Sequence, residues 1–175
     1  MNRLALALLI ALSPAAALAQ TAEDAAGAEA AVEAFNAAFA AEDYTAIIAA
    51  TPPAVWDHLA DQAGVETDML VVAMAAQMAD MMLGIEVDSY EMAFADAQGG
   101  VSDADRPYFL IPTETVMGIA GAGRVRSLSD TLVLEDEGAW YLLRVESDAH
   151  RRILSQVYPD LAGVDFAPGV QEPVQ

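Results

Sequence analysis

Three groups of residues in this chain have types and spacings that bear on chemistry. Asp57 and His58 stand together beside Trp56, and a carboxylate that orients an imidazole titrating near neutral pH is the pairing used for general acid and base work. Neighbours on a helix project about 100° apart and do not face each other, so the same residues also read as a surface aspartate and a partly packed histidine. His150 lies near Asp148 and Arg151, in what reads as the first turn of a closing helix. Met74, Met78, Met81 and Met82 fall at i, i+4, i+7 and i+8. That spacing aligns thioethers suited to Cu(I), but it is equally the spacing of a packed stripe in which methionine fills gaps, or of one wall of an apolar cavity. Gln77 and Asp80 are its polar neighbours, and no His or Cys accompanies it.

Positive charge is scarce enough to be informative, since all seven basic residues are arginine. Arg124 and Arg126 alternate with Leu128, which puts both guanidinium groups on one face of a strand. There they either pair with neighbouring Asp or Glu or hold the carboxylate of an acidic ligand through two parallel hydrogen bonds.

Other chemistry is missing from the sequence. It has no glycine-rich phosphate loop, no Gly-x-Ser-x-Gly elbow and no cysteine, and neither histidine belongs to a spaced metal set. Hydrolase, kinase and metalloenzyme readings therefore fall, and no catalytic residue, metal or cofactor is expected.

The chain opens with Asn2 and Arg3, the apolar run Leu4 to Leu12, and Ala17, Leu18, Ala19 before Gln20. A run of this length is too short to span a bilayer but suits a signal peptide cleaved after Ala19, so residues 1–19 are expected to be removed and the remainder to act in the periplasm or outside the cell. Without cysteine, neither a lipid-anchored amino terminus nor a disulfide is possible. Arg3 leaves with the leader, and the remaining arginines face 27 carboxylates. Such a surface disfavours nucleic acid and anionic lipid. The acid excess reads as serving solubility, as in a salty habitat where screening weakens self-repulsion, or as meeting a cationic partner. A hydrophobic content of 55% argues for a folded core.

The elements that must position these groups change period midway. Val32, Phe35 and Phe39 mark a helix from about Ala25 to Ala41 that stops near Glu42. Asp43 caps a second helix from Tyr44, Pro53 opens a third that Gly64 ends, and Thr67 caps a fourth running to Leu83. From Ser89 the pattern alternates. Tyr90, Met92 and Phe94 mark one strand before a turn at Gln98, Gly99 and Gly100, and Tyr108 to Ile119 and Arg124 to Glu135 make two more, with Pro112 implying an edge or a bulge. After the turn at Asp136, Glu137 and Gly138, Trp140, Leu142 and Arg144 point one way and Tyr141, Leu143 and Val145 the other. Asp148 starts a short closing helix that runs through Tyr158. This specifies an α+β fold, with amino-terminal helices packed on a curved antiparallel sheet of about four strands. Residues 20–160 form a single domain, and residues 161–175 form a mobile tail.

The helix ending in Glu42, Asp43, Tyr44 and the hairpin Gly138, Ala139, Trp140, Tyr141, Leu142 resemble the NTF2-like, or cystatin-like cone, superfamily over roughly residues 27–158. The resemblance implies either a non-catalytic module that binds a small ligand or a partner, or an isomerase-like or cyclase-like enzyme that moves a proton beside a carbonyl with a buried carboxyl group and a tyrosine. Without a catalytic signature, the binding module is the expected function. Its ligand is expected to be a small apolar or weakly acidic molecule lined by Trp56, Tyr90, Arg126 and Trp140. Both faces of the last strand carry large apolar groups, so the face not covered by helices needs the carboxy-terminal segment or a second copy, making a homodimer through the sheet.

Overall fold

The computed structural model describes residues 20–121 and 123–174. The expected leader, residues 1–19, lies outside them. Helix α1 (Ala22–Ala40) opens on a reciprocal cap. The Asp24 amide donates to Thr21 Oγ1 at 3.0 Å, and the Thr21 amide donates to Asp24 Oδ2 at 2.7 Å, so two amides otherwise left over at a helix start are satisfied. Asp43 caps α2 (Tyr44–Ala49) by accepting from the Ala46 amide at 3.0 Å. Helix α3 (Pro53–Ala63) starts at a proline pair and stops at Gly64, whose φ of 67° is left-handed and unstrained for glycine. The cap position of α4 (Thr67–Met82) falls on Glu66, which makes no side-chain capping bond, rather than on Thr67, whose hydroxyl donates to Asp57 Oδ1 at 2.7 Å and ties α4 to α3.

Among the described residues six antiparallel strands follow, two more than expected: β1 (Ile85–Met92), β2 (Gln98–Val101), β3 (Pro107–Ile119), β4 (Gly123–Asp136), β5 (Ala139–Val145) and β6 (Val170–Val174). The long strands β3 and β4 form the centre of a curved open sheet. β1 and β2 share the free edge of β3, and β5 and β6 share that of β4. Pro112 sits at the break between the β2 and β1 pairings, so its missing amide falls where neither short strand is bonded. Gly99 and Gly100, expected as a turn, are strand residues. A methyl group on Gly100 would overlap the Tyr108 ring, so close packing is what requires glycine there. The closing segment, expected to trail free, is also tied into the sheet, with Val170–Val174 pairing along Arg124–Leu128.

The period of two divides the sheet into faces. Phe109, Ile111, Val133 and Leu142 point toward α1, where Ala28 and Val32 bury them. Leu132, Leu134 and Val145 point the other way, against Val55 of α3, Leu154 of α5 (Asp148–Val157), and Tyr158, Leu161 and Phe166 beyond it. The carboxy-terminal segment thus covers the second face of the last strand. Ser147, one residue before the expected Asp148, caps α5 by accepting from the His150 amide at 3.3 Å. Among the described residues, no helix is long and apolar enough to cross a membrane.

Candidate functional site

Alternation along β5 places Arg144 on the face toward α1, with Trp140 and Leu142. Those two are consumed by packing. Trp140 lies 5.7 Å from the Phe109 ring and so close to α1 that a methyl on Gly27 would overlap its indole. Arg144 is the first member of the row beyond the buried cluster, and its side chain is 30% exposed.

Its guanidinium lies across β4 on a floor of buried hydroxyls. Thr113, Thr115, Ser127, Ser129 and Thr131 are 2–5% exposed, and antiparallel register sets Thr115 opposite Ser127, Thr113 opposite Ser129 and Arg144 opposite Thr131. Arg144 Nε donates to Ser129 Oγ at 2.7 Å, Nη2 to Ser127 Oγ at 3.2 Å and Nη1 to Thr115 Oγ1 at 3.4 Å. Nε is also 2.6 Å from Glu146 Oε1. Thr113 and Thr131 satisfy each other at 2.7 Å.

Donors are in surplus here. A guanidinium carries five N–H groups, and each hydroxyl that accepts from it keeps a proton of its own to donate. Tyr90 adds another, standing opposite Thr115 and stacked on Phe39 of α1 at 4.2 Å. Burial pushes its phenol up to about 12, against the pull of the Arg144 charge, so at neutral pH it is an uncharged donor. Its hydroxyl is 3.4 Å from Met92 Sδ, a weak acceptor. Farther along the same face, the paired Met117 and Val125 are half-buried and apolar. A band of donors thus borders an apolar strip, an arrangement matched to a molecule with an acidic head and a hydrocarbon body.

Of the four expected lining residues, only Tyr90 lies beside Arg144. Trp56 is buried in α3, with Nε1 donating to the Ile48 carbonyl at 3.2 Å, and it locks two helices together. Trp140 has the right face but the covered end. Arg126 is on the opposite face, bound to Glu114 at 2.7 and 2.6 Å and to Glu172 at 3.1 Å, while Arg124 is held by Asp88 at 2.7 Å. Internal pairing therefore claims both. Arg144 had a readable signal, a lone cation in an otherwise apolar row of a strand.

The other candidates are dispersed. Asp57 accepts from Thr67, whereas His58 Nε2 meets Gln62 at 2.6 Å and Gln156 at 3.1 Å. His150 Nδ1 accepts from the Glu146 amide at 3.2 Å. Met74, Met78 and Met82 are half-buried and Met81 is exposed. Among the described residues, no group of three or more His, Asp or Glu is placed to hold a metal.

Tyr158 donates to Asp136 Oδ2 at 2.8 Å, but it is a strut. Arg106 pairs with Asp136 at 3.0 Å and with Asp160 at 3.2 Å and lies over the Tyr158 ring. Burial alone would raise the Asp160 carboxyl, but the Ser102 hydroxyl and Arg106 outweigh it and hold that group below its ordinary range.

Comparison of the chain with protein-family models, with curated proteins and with solved structures gives no match.

Proposed function

We propose that this chain is an exported, non-catalytic binding module of NTF2-like type that holds a small, weakly acidic amphipathic molecule on the sheet face toward α1. The helices-first order and the curved antiparallel sheet support that resemblance. The observation that carries the reading is Arg144 spread over three buried hydroxyls beside Tyr90, with Met117 and Val125 beyond. Arg144 thus takes the anchoring role that the sequence assigned to Arg126. Proton transfer beside a carbonyl gains no support, because the Tyr158–Asp136 contact is neutralised by Arg106 and packed into the core.

Calorimetric titration with octanoate and with octanol tests this. Octanoate is expected to bind and octanol to bind more weakly. Arg144→Met should lose about tenfold or more of the octanoate affinity, the scale of a hydrogen bond to a charged group, while Arg126→Met retains it. Equal binding of acid and alcohol, or unchanged affinity in Arg144→Met, would refute the site.

A further inference from the structure

Helix α4 is apolar on every side. Between Thr67 and Met82 its charged residues are Asp68 and Asp80 alone. A helix of that composition is ordinarily sealed inside a protein, yet none of its residues is buried. Met69 and Val72 are 64% and 69% exposed, and Leu83, just past the last turn, is 87% exposed.

Beside this helix, where it faces the corner between α1 and α2, run two clefts of about 450 and 620 Å³. They share Glu42, Tyr44 and Ala79, and so form one groove from Val71 to Leu83. At about 1.5 Å per residue, that stretch is roughly 18 Å long, about three turns of helix. Ala75, Ala76 and Ala79 keep it open, and Phe39 and Met82 add an apolar wall at one end. The charged groups lining it are carboxylates: Glu42, Asp43 and Glu86. Arg124, which lines a separate cleft beyond Leu83, is held by Asp88.

We infer that this groove receives an amphipathic helix of another protein whose apolar stripe is flanked by Lys or Arg. Three turns of apolar floor suit the i, i+3, i+4, i+7 anchors of such a helix, methionine adapts to their shapes, and the acidic rim attracts and orients the basic flanks. A second copy fits less well. A two-fold contact brings the same patch to itself and would set Glu42, Asp43 and Glu86 against their own counterparts in a chain of net charge −20. This surface stands whether or not the Arg144 site binds a carboxylate.

The test measures fluorescence anisotropy of the full chain with three synthetic helical peptides: one with a Leu and Met stripe flanked by lysines, the same peptide with glutamates for the lysines, and a scrambled version. The basic peptide should bind and weaken as salt is raised. The acidic and scrambled peptides should bind at least about tenfold more weakly, since both the charge match and the stripe are required. Ala76→Arg, with its fold checked by circular dichroism, should abolish binding of the basic peptide. Glu86→Gln, which leaves the groove open, should weaken it and flatten its salt dependence. Failure of the basic peptide to bind, equal binding of acidic and basic peptides, or unchanged binding in both variants overturns the proposal. So does light scattering that shows a dimer of the chain alone which Ala76→Arg converts to a monomer, because the occupant would then be a second copy.

Discussion

Arg126 on β4 and Arg144 on β5 leave the same sheet from opposite faces. Arg126 is met by two carboxylates, and its hydrogen bonds hold the Glu114 carboxyl below its ordinary range. Arg144 is met by one carboxylate and three hydroxyls. Arg126 thus fastens β6 to β4 through Glu172, whereas Arg144, paired with Glu146 at 2.6 Å, spreads the rest of its guanidinium over hydroxyls, which are uncharged acceptors.

Arg144→Met strands the Thr115, Ser127 and Ser129 hydroxyls beneath an apolar side chain. The expected loss is about 1–3 kcal/mol, the cost of buried polar groups left without a partner. Urea unfolding measures it. In the Arg144→Met background, Thr115→Val with Ser127→Ala should recover part of that loss, whereas a further loss from the added substitutions would show that the hydroxyls are not coupled to the arginine.

Gly27→Ala tests the fit of α1 on β5. Alanine favours a helix by about 1 kcal/mol over glycine, so on propensity alone the change stabilises. Because the new methyl would overlap the Trp140 indole, the expected outcome is a net loss of about 1–2 kcal/mol from overpacking. Combining it with Trp140→Leu should reverse the sign of the Gly27→Ala effect, and thermal melts of the four proteins decide.

Acid should release the Arg106 strut. The Asp160 carboxyl is lowered in the folded protein from its ordinary 3.8, so its contribution is present above that value and is lost as pH falls through the folded value. Arg106→Gln is expected to cost about 2–4 kcal/mol at neutral pH, somewhat under the loss for a fully buried pair. The gap between wild type and variant should narrow below pH 3.8. An equal gap at pH 7 and pH 3, read from denaturant midpoints, would remove Asp160 from the explanation.

Alkali acts in the opposite sense at Tyr90. Its folded value is raised from 10.0 to about 12, so the stability it contributes is complete below 10.0 and declines as pH rises toward 12. Ultraviolet titration should show a late-ionising tyrosine that Tyr90→Phe deletes. Arg144→Met should delay it further, because the positive charge that favours the phenolate is gone.

Much of this arrangement is legible in the sequence where local chemistry decides. Asp43, the proline pair at 52 and 53 and Gly64 mark helix ends by their own side chains and backbone, and the alternation from Trp140 to Val145 divides β5 into its true faces. Where partners decide, the sequence is silent. Gly99 and Gly100 carry no pattern that distinguishes a turn from a strand, and Val170–Val174 becomes a strand only because β4 leaves an edge free for it. The apolar composition of α4 reads as burial, and nothing in the order of residues reveals that it lies at the surface. Arg124 and Arg126 drew the anchoring role because they stand together, yet which arginine lies across a floor of buried hydroxyls depends on cross-strand register.

The last strand also bears on how the protein avoids its own kind. β5 leaves Arg124–Leu128 of β4 unpaired, a row of backbone donors and acceptors that any other extended chain could adopt. β6 takes that row, and the new edge it offers is five residues long and interrupted by a charge at Glu172 and by Pro173, which has no amide to give. Beside central strands of 13 and 14 residues, this short, charged and proline-bearing strand serves as a guard against edge-to-edge aggregation.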